Sequence, residues 1–210
     1  DADGPTGIAE QMARFAEATC DLPGERSLSN SAATLRHAQD AAVKADWIRP
    51  GIAVYGSSPD FPAHSVTDWD LQPAMSLNAQ IIAVQSLQAG DTVGYGMRWR
   101  AEGPCRIGVL SIGYGDGYPR LRNQGHVLLH GHRVPLVGGV TMDALMVDLA
   151  TVPEARIGDE AVLLGSQGSE RITVQELASL RGTVTYDVLT GLRGRLPRVY
   201  RGGIGDGNPG

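Results

Sequence analysis

Residues 75–81 read Met-Ser-Leu-Asn-Ala-Gln-Ile. Met75, Leu77, Ala79 and Ile81 alternate with Ser76, Asn78 and Gln80, the period of two that puts one face of a strand in a core and the other in water. The same signature recurs downstream. The segments CRIGVLSIG (105–113), HVLLHG (126–131), RVPLVG (133–138), ALMVDL (144–149) and EAVLLG (160–165) read as short strands. Glycine-bearing turns separate them: AGDT (89–92), HGHR (130–133) and IGDE (157–160). Short strands at this spacing predict a mostly antiparallel, barrel-like β domain or a sandwich. One helix interrupts, where Thr173 and Glu176 form a capping-box pattern ahead of Leu177 and Leu180. A second is expected over residues 186–192.

Upstream the rhythm differs. Ile8, Met12, Phe15 and Ala16 share one helical face, which predicts an amphipathic helix over residues 7–19. LPGE (22–25) breaks it. RSLSNSAATL (26–35) follows as a short run, with Asn30 and Ser31 placed to cap a new helix. GIAVYG (51–56) is a short apolar run between glycines and reads as a buried strand. Helix, strand, helix, strand is the rhythm of a parallel α/β fold. Scattered Pro, Asp and Ser over residues 57–73 mark a boundary. The expected organisation is an α/β piece at 1–60, a linker at 61–72, a β domain at 73–201 and a disordered Gly-rich tail at 202–210. The α/β piece is too small to close a barrel, and the chain opens on DADGPTG just ahead of a helix. Further residues are therefore expected before Asp1.

The net charge of −5 argues against nucleic acid or an acidic membrane surface as partner. No apolar run reaches the ~18 residues a membrane helix needs. Cys20 and Cys105 make neither a disulfide framework nor a metal motif, so no metal site is expected and a cytoplasmic setting is. Lys44 is the only lysine.

The chemistry-bearing string is IGYGDGYPR (112–120), in which Tyr114 sits between glycines at the end of an apolar strand. A tyrosine so placed can act as a general acid or base, or be a plain turn residue. No GxGxxG or GxxxxGK pattern surrounds it. This string resembles the signature of the alanine racemase C-terminal domain. Others match in order: SNSAA (29–33), DWIRPGIAVYG (46–56), QPAMSL (72–77), AGDTVGYG (89–96), VPLVGGVTMDALMVDL (134–149) and YDVLTGLRGRLPRVY (186–200). The resemblance covers all but the Gly-rich tail.

The resemblance implies the last part of a (β/α)8 barrel followed by the family's β domain, in a head-to-tail homodimer whose active sites are shared between subunits. It implies pyridoxal phosphate (PLP) as cofactor and L- and D-alanine as substrates. It further implies two-base proton transfer on a PLP aldimine, in a bacterial, cytoplasmic enzyme supplying D-alanine for peptidoglycan. The resemblance is read as matching Tyr114 to the catalytic tyrosine and Arg49 to the arginine facing the pyridine nitrogen. Ser31, Gly51 and Ile52 match the phosphate-binding positions, by hydroxyl and by backbone N–H. Met142 and Asp143 match the substrate-carboxylate end, with the Met142 amide as donor. Gly194 stands where some members have a tyrosine, and Ser27 where some have a histidine whose role is not legible. The family's Schiff-base lysine lies in a VVKANAYGHG-like motif that is absent. Lys44, in AAVKADW (41–47), lacks the following YGHG and is read as a solvated side chain. The chain alone is therefore expected to be inactive. A PLP racemase of other specificity, or a non-catalytic or split subunit, are the competing readings.

Overall fold

The computed structural model describes residues 5–192 and 194–202. Beyond Gly202, the segment expected to be a disordered tail lies outside the described residues. The chain divides into two compact units, residues 1–75 and 76–210.

In the first unit, helix α1 (Pro5–Ala18) half-buries Ile8, Met12 and Phe15 on one face, while Ala16 is exposed. Strand β1 (Ser27–Asn30) leads directly into helix α2 (Ser31–Arg36). Strand β2 (Trp47–Arg49) pairs with β1 in parallel, and helix α3 (Gly51–Val54) follows. The GIAVYG run is thus helical, not the strand expected. The strand lies one step earlier, in WIR, and Pro50, which has no N–H for a ladder, closes it as the N-cap of α3. Ile52 is buried while Val54 is exposed, so one side of a helical turn is packed. A four-residue apolar stretch cannot by its periodicity distinguish these cases. Gly56 at φ +70° ends the turn, and a Cβ there would sit 1.8 Å from the Gln72 carbonyl oxygen. Arg36 grips the buried Asp60 carboxylate with two guanidinium nitrogens, tying α2 to the loop before His64. Trp47, Ile48, Val54 and Tyr55 stay exposed.

The second unit has strands β3 (Leu77–Leu87), β4 (Thr92–Val93), β5 (Trp99–Arg100), β6 (Cys105–Leu110), β7 (His126–Leu129), β8 (His132–Val137), β9 (Leu145–Asp148), β10 (Glu160–Gln167) and β11 (Glu170–Ile172). The order β11-β10-β3-β6-β9-β8-β7 closes on itself because β10 also pairs with β7. The pairings of β3 with β6 and β10, of β7 with β8 and β10, and of β9 with β6 and β8 are antiparallel. The result is a closed six-stranded barrel with β11 as an appendage. Alternation in β3 runs as read, with Leu77 and Ile81 buried and Asn78 and Gln80 exposed. It then breaks at a bulge between Ile81 and Ala83, and the strand continues to Leu87. Leu110, Val127, Leu128, Leu129, Val134, Leu145, Val147 and Leu163, on both faces of the barrel wall, are fully buried. Each is worth ~1.5–3 kcal/mol of transfer free energy.

Two helices follow the barrel. In α4 (Val174–Arg181) the Thr173 hydroxyl accepts from the Glu176 N–H at 3.1 Å. The reciprocal half of the expected capping box is not made. The Glu176 carboxylate instead takes two bonds from the Arg133 guanidinium, at 2.7 and 3.0 Å. An ionised partner from β8 outcompetes a backbone amide. Helix α5 (Thr185–Gly191) comes next. No helix among the described residues is long and apolar enough to cross a membrane.

Candidate active site

In the first unit the parallel pair β1–β2 brings together residues some twenty positions apart. Asn30, not Ser31, is the N-cap of α2, its Oδ1 accepting from the Ala33 N–H at 3.0 Å. Ser31 is fully buried and turns the other way, with Oγ accepting from the Ala53 N–H of α3 at 3.1 Å. The Gly51 and Ile52 N–H groups open α3 and donate to no acceptor among the described residues. One hydroxyl and two uncommitted amides are thus gathered at the end of β2, a set suited to an oxyanion. Arg49 ends β2. Its guanidinium donates to the Ser27 carbonyl and, at 2.9 Å, to the Ser27 hydroxyl. Ser27, whose part could not be read from sequence, orients Arg49. Lys44 is exposed and lines a groove of about 300 Å³ with Ser29, His37 and Ile48.

In the barrel unit the Tyr114 segment is a 3-10 turn, Tyr114–Asp116, after β6. The Tyr114 N–H donates to the Thr141 carbonyl at 2.9 Å and the Gly115 N–H to the Met142 carbonyl at 2.8 Å. This direct zipping needs glycine. A Cβ on Gly113 would lie 2.3 Å from the Thr141 oxygen, and one on Gly117, at φ +96°, 1.9 Å from the Gly191 oxygen. The structure therefore brings Tyr114 and the pair Met142 and Asp143 together. The 141–144 turn is closed by Thr141 N–H to the Ala144 carbonyl at 2.8 Å. At its tip Met142 is exposed, and its N–H donates to no acceptor among the described residues. The Arg120 guanidinium stands over the Tyr114 ring, 5.5 Å from its centroid. Arg195 bridges two carboxylates, donating from Nη2 to Asp143 at 2.5 Å with Nε 3.3 Å from Asp116.

A second tyrosine escaped sequence reasoning. Tyr95 opens the 3-10 turn Tyr95–Met97 in the β4–β5 hairpin, and it is 85% exposed against 39% for Tyr114. Gly94, Gly96 and Met97 all have positive φ. Met97 tolerates a conformation that costs a β-carbon-bearing residue ~1 kcal/mol or more. Gly94 packs on the Gly138–Gly139 backbone. Asn123 secures the same place: its Oδ1 accepts from the Gly138 N–H at 2.7 Å. An aromatic held outward between two glycines is the signal, and it lay in the AGDTVGYG string.

A parallel α/β unit and a closed β barrel that holds tyrosines outward on glycine turns make a two-unit chain of the α/β-plus-β-barrel class. Comparison with known families makes this specific. Residues 74–200 match the model of the alanine racemase C-terminal domain and residues 1–59 that of the N-terminal domain. The chain belongs to the alanine racemase family. It is 54% identical over 199 residues to an alanine racemase of Polaromonas sp. (94% of this chain, 55% of that protein) and 55% identical over 199 residues to one of Methylibium petroleiphilum (94% and 54%). The biosynthetic alanine racemase of Pseudomonas aeruginosa superposes with a TM-score of 0.78 at 43% identity (96% and 54%). That of E. faecalis superposes at 0.85 and 33% (95% and 53%). The enzyme of Bartonella henselae, whose structure carries covalently bound pyridoxal phosphate, superposes at 0.76 and 30% (95% and 53%). The chain spans about half the length of the curated relatives it matches.

Proposed function

We propose that this chain supplies part of a PLP-dependent alanine racemase, giving the active site one proton-transferring tyrosine, the substrate-carboxylate donor and part of the phosphate cradle. The observation that carries it is the barrel-unit site: Tyr114 beside a turn whose Met142 N–H is uncommitted, with Tyr95 exposed on the β4–β5 hairpin, in a chain of this family. In the first unit Ser31 and the Gly51 and Ile52 amides fit a phosphate. Arg49, oriented by Ser27, would face the ring nitrogen and, being permanently charged, keep it unprotonated. When bound, pyridoxal phosphate supplies the electron sink that makes the α-hydrogen of alanine labile.

Racemisation needs one group on each face of the α-carbon. The tyrosine the geometry favours is Tyr95 rather than Tyr114. A base serving a partner subunit's site must project from its own domain, and Tyr95 does so between two glycines at positive φ. Tyr114, clamped in its turn under Arg120, is better placed as a wall of the site. The opposite-face lysine has no counterpart motif, and the groove lined by Lys44 does not include Ser31, Gly51 or Ile52 in its lining. The assembly is read as a homodimer with active sites shared between subunits, in a cytoplasmic enzyme making D-alanine for peptidoglycan.

The test pairs the chain with the N-terminal half of the Polaromonas relative and follows D-alanine formation. Tyr95→Phe should cost ~10²–10⁴-fold in kcat, the worth of general acid–base catalysis, and Tyr114→Phe much less. The reverse order returns the role to Tyr114, and two silent variants refute the proposal. The chain alone with PLP should form no D-alanine above the free-PLP background. Borohydride reduction with near-stoichiometric PLP should leave no competition-resistant label on Lys44. Saturable labelling there would mean that the chain builds its own cofactor anchor.

A further inference from the structure

We propose that Arg195 is a positioning residue that fixes the Tyr114 turn against the 141–144 turn and masks the Asp143 charge beside the substrate-carboxylate donor. The proposal rests on the reading that the Met142 N–H receives that carboxylate. Among the described residues two backbone hydrogen bonds join the turns directly, Tyr114 N–H to Thr141 and Gly115 N–H to Met142. Arg195 adds a side-chain strut. Its Nη2 holds Asp143 at 2.5 Å, and its Nε lies 3.3 Å from Asp116 Oδ1. The other Asp116 oxygen accepts the Gly113 N–H at 2.9 Å, at the root of the tyrosine turn. The strut thus runs from Asp143 through Arg195 and Asp116 to Gly113. A planar guanidinium can span two carboxylates at fixed angles, and an ammonium cannot. A Cβ on Gly115 would lie 2.4 Å from Arg195 Nη1 and 2.9 Å from the Met142 carbonyl oxygen, so the guanidinium lies close across this turn.

Charge gives the second half of the argument. Asp143 follows the residue whose N–H is free to bind a carboxylate, and it is mostly exposed. An uncompensated carboxylate there would repel an incoming carboxylate. The Arg195 contact offsets it.

The experiment has two arms. In the chain itself, amide hydrogen exchange is followed by NMR. Arg195→Gln should speed exchange of the Tyr114 and Gly115 amides about fivefold, the worth of partly exposed charge contacts, and leave the β6–β9 ladder unchanged. In the lysine-complemented enzyme the same variant should raise KM for alanine severalfold, with a smaller change in kcat. Arg195→Lys should keep KM near wild type while exchange stays raised, because charge survives and the strut does not. Adding Asp143→Asn to Arg195→Gln should bring KM back without restoring amide protection. A merely structural arginine would move neither split. Tyr114 and Gly115 exchange within twofold of wild type in Arg195→Gln would overturn the strut, and an unrecovered KM in the double variant would overturn the masking. If the wild-type complemented enzyme makes no D-alanine, the functional reading fails on its own, while the exchange arm still decides the strut.

Discussion

Gly113→Ala isolates the junction of the two turns. Gly113 has φ −149°, extended backbone that alanine adopts freely, so conformational strain makes no contribution. Space does. The new methyl would lie 2.3 Å from the Thr141 oxygen and 2.4 Å from the Met142 oxygen, both backbone atoms that cannot swing aside. To reach van der Waals contact the turns must part by about 1 Å. The bonds crossing the junction, Tyr114 N–H to Thr141 at 2.9 Å and Gly115 N–H to Met142 at 2.8 Å, would then be broken. At ~0.5–1.5 kcal/mol net for each bond the variant should lose about 1–3 kcal/mol. For a unit of this size that lowers Tm by roughly 3–10 °C. Urea unfolding of Gly113→Ala beside Gly103→Ala measures it. Gly103 has no atom within 4 Å of a built Cβ and should fall within ~0.5 kcal/mol of wild type. In the complemented enzyme a 1 Å displacement of substrate-facing groups should cost ~10²-fold in kcat/KM. Equal stability of the two variants, with unchanged Tyr114 exchange, would refute the reasoning.

Ser31→Ala leaves the part-buried Ala53 N–H without its acceptor and should cost ~0.5–1.5 kcal/mol in urea unfolding followed by Trp47 and Trp69 fluorescence; no change would mean that α3 has another anchor. Thr173→Ala removes the α4 cap and should cost ~1 kcal/mol by thermal unfolding. His130 is held on both ring nitrogens, by Glu154 and Asp159 at 2.9 Å each, and these bonds, Glu154 first, raise its pKa above the ordinary value. A raised histidine pKa means that the folded state binds the proton more tightly, so the stabilisation is full below the unfolded value of ~6.5 and is lost as pH rises through the folded one. His130→Gln should therefore lower Tm at pH 5.5 and much less at pH 8.5. A pH-independent difference would show that the imidazolium is not what joins the β7–β8 hairpin to the 154–159 loop.

The strands of the barrel unit were legible because their faces differ. Leu77, Ala79 and Ile81 carry a period of two that only a half-buried strand explains, and Val127 to Leu129 form a run bounded by turn residues. The closure of the ring was not legible, since nothing local in EAVLLG says that it pairs with two strands far from each other in sequence. GIAVYG was misread because a short apolar run has no period to measure, and Pro50 decided the matter. Ser31 was misjudged as a cap because its partner, Ala53, lies 22 residues away. For Arg49 and Ser27 the residue types were visible, but their contact arises only when β1 and β2 pair. Tyr95 stood in a quoted motif, yet its exposure follows from three positive φ values that sequence alone does not display.

The double pairing of β10 bears on how the barrel unit assembles. Its Ala161 and Val162 face Ala79 and Asn78 of β3 on one side and Leu129 and Leu128 of β7 on the other. The β3 contact spans some eighty residues of chain. Until β10 docks, β3 and β7 are both open edges, and an open edge is a template for pairing with another molecule. Closure removes both at once, late and at high loop-entropy cost. The window for off-pathway association is therefore the interval before one strand arrives, and substitutions that weaken β10 should raise aggregation during refolding more than they lower the stability of the finished barrel.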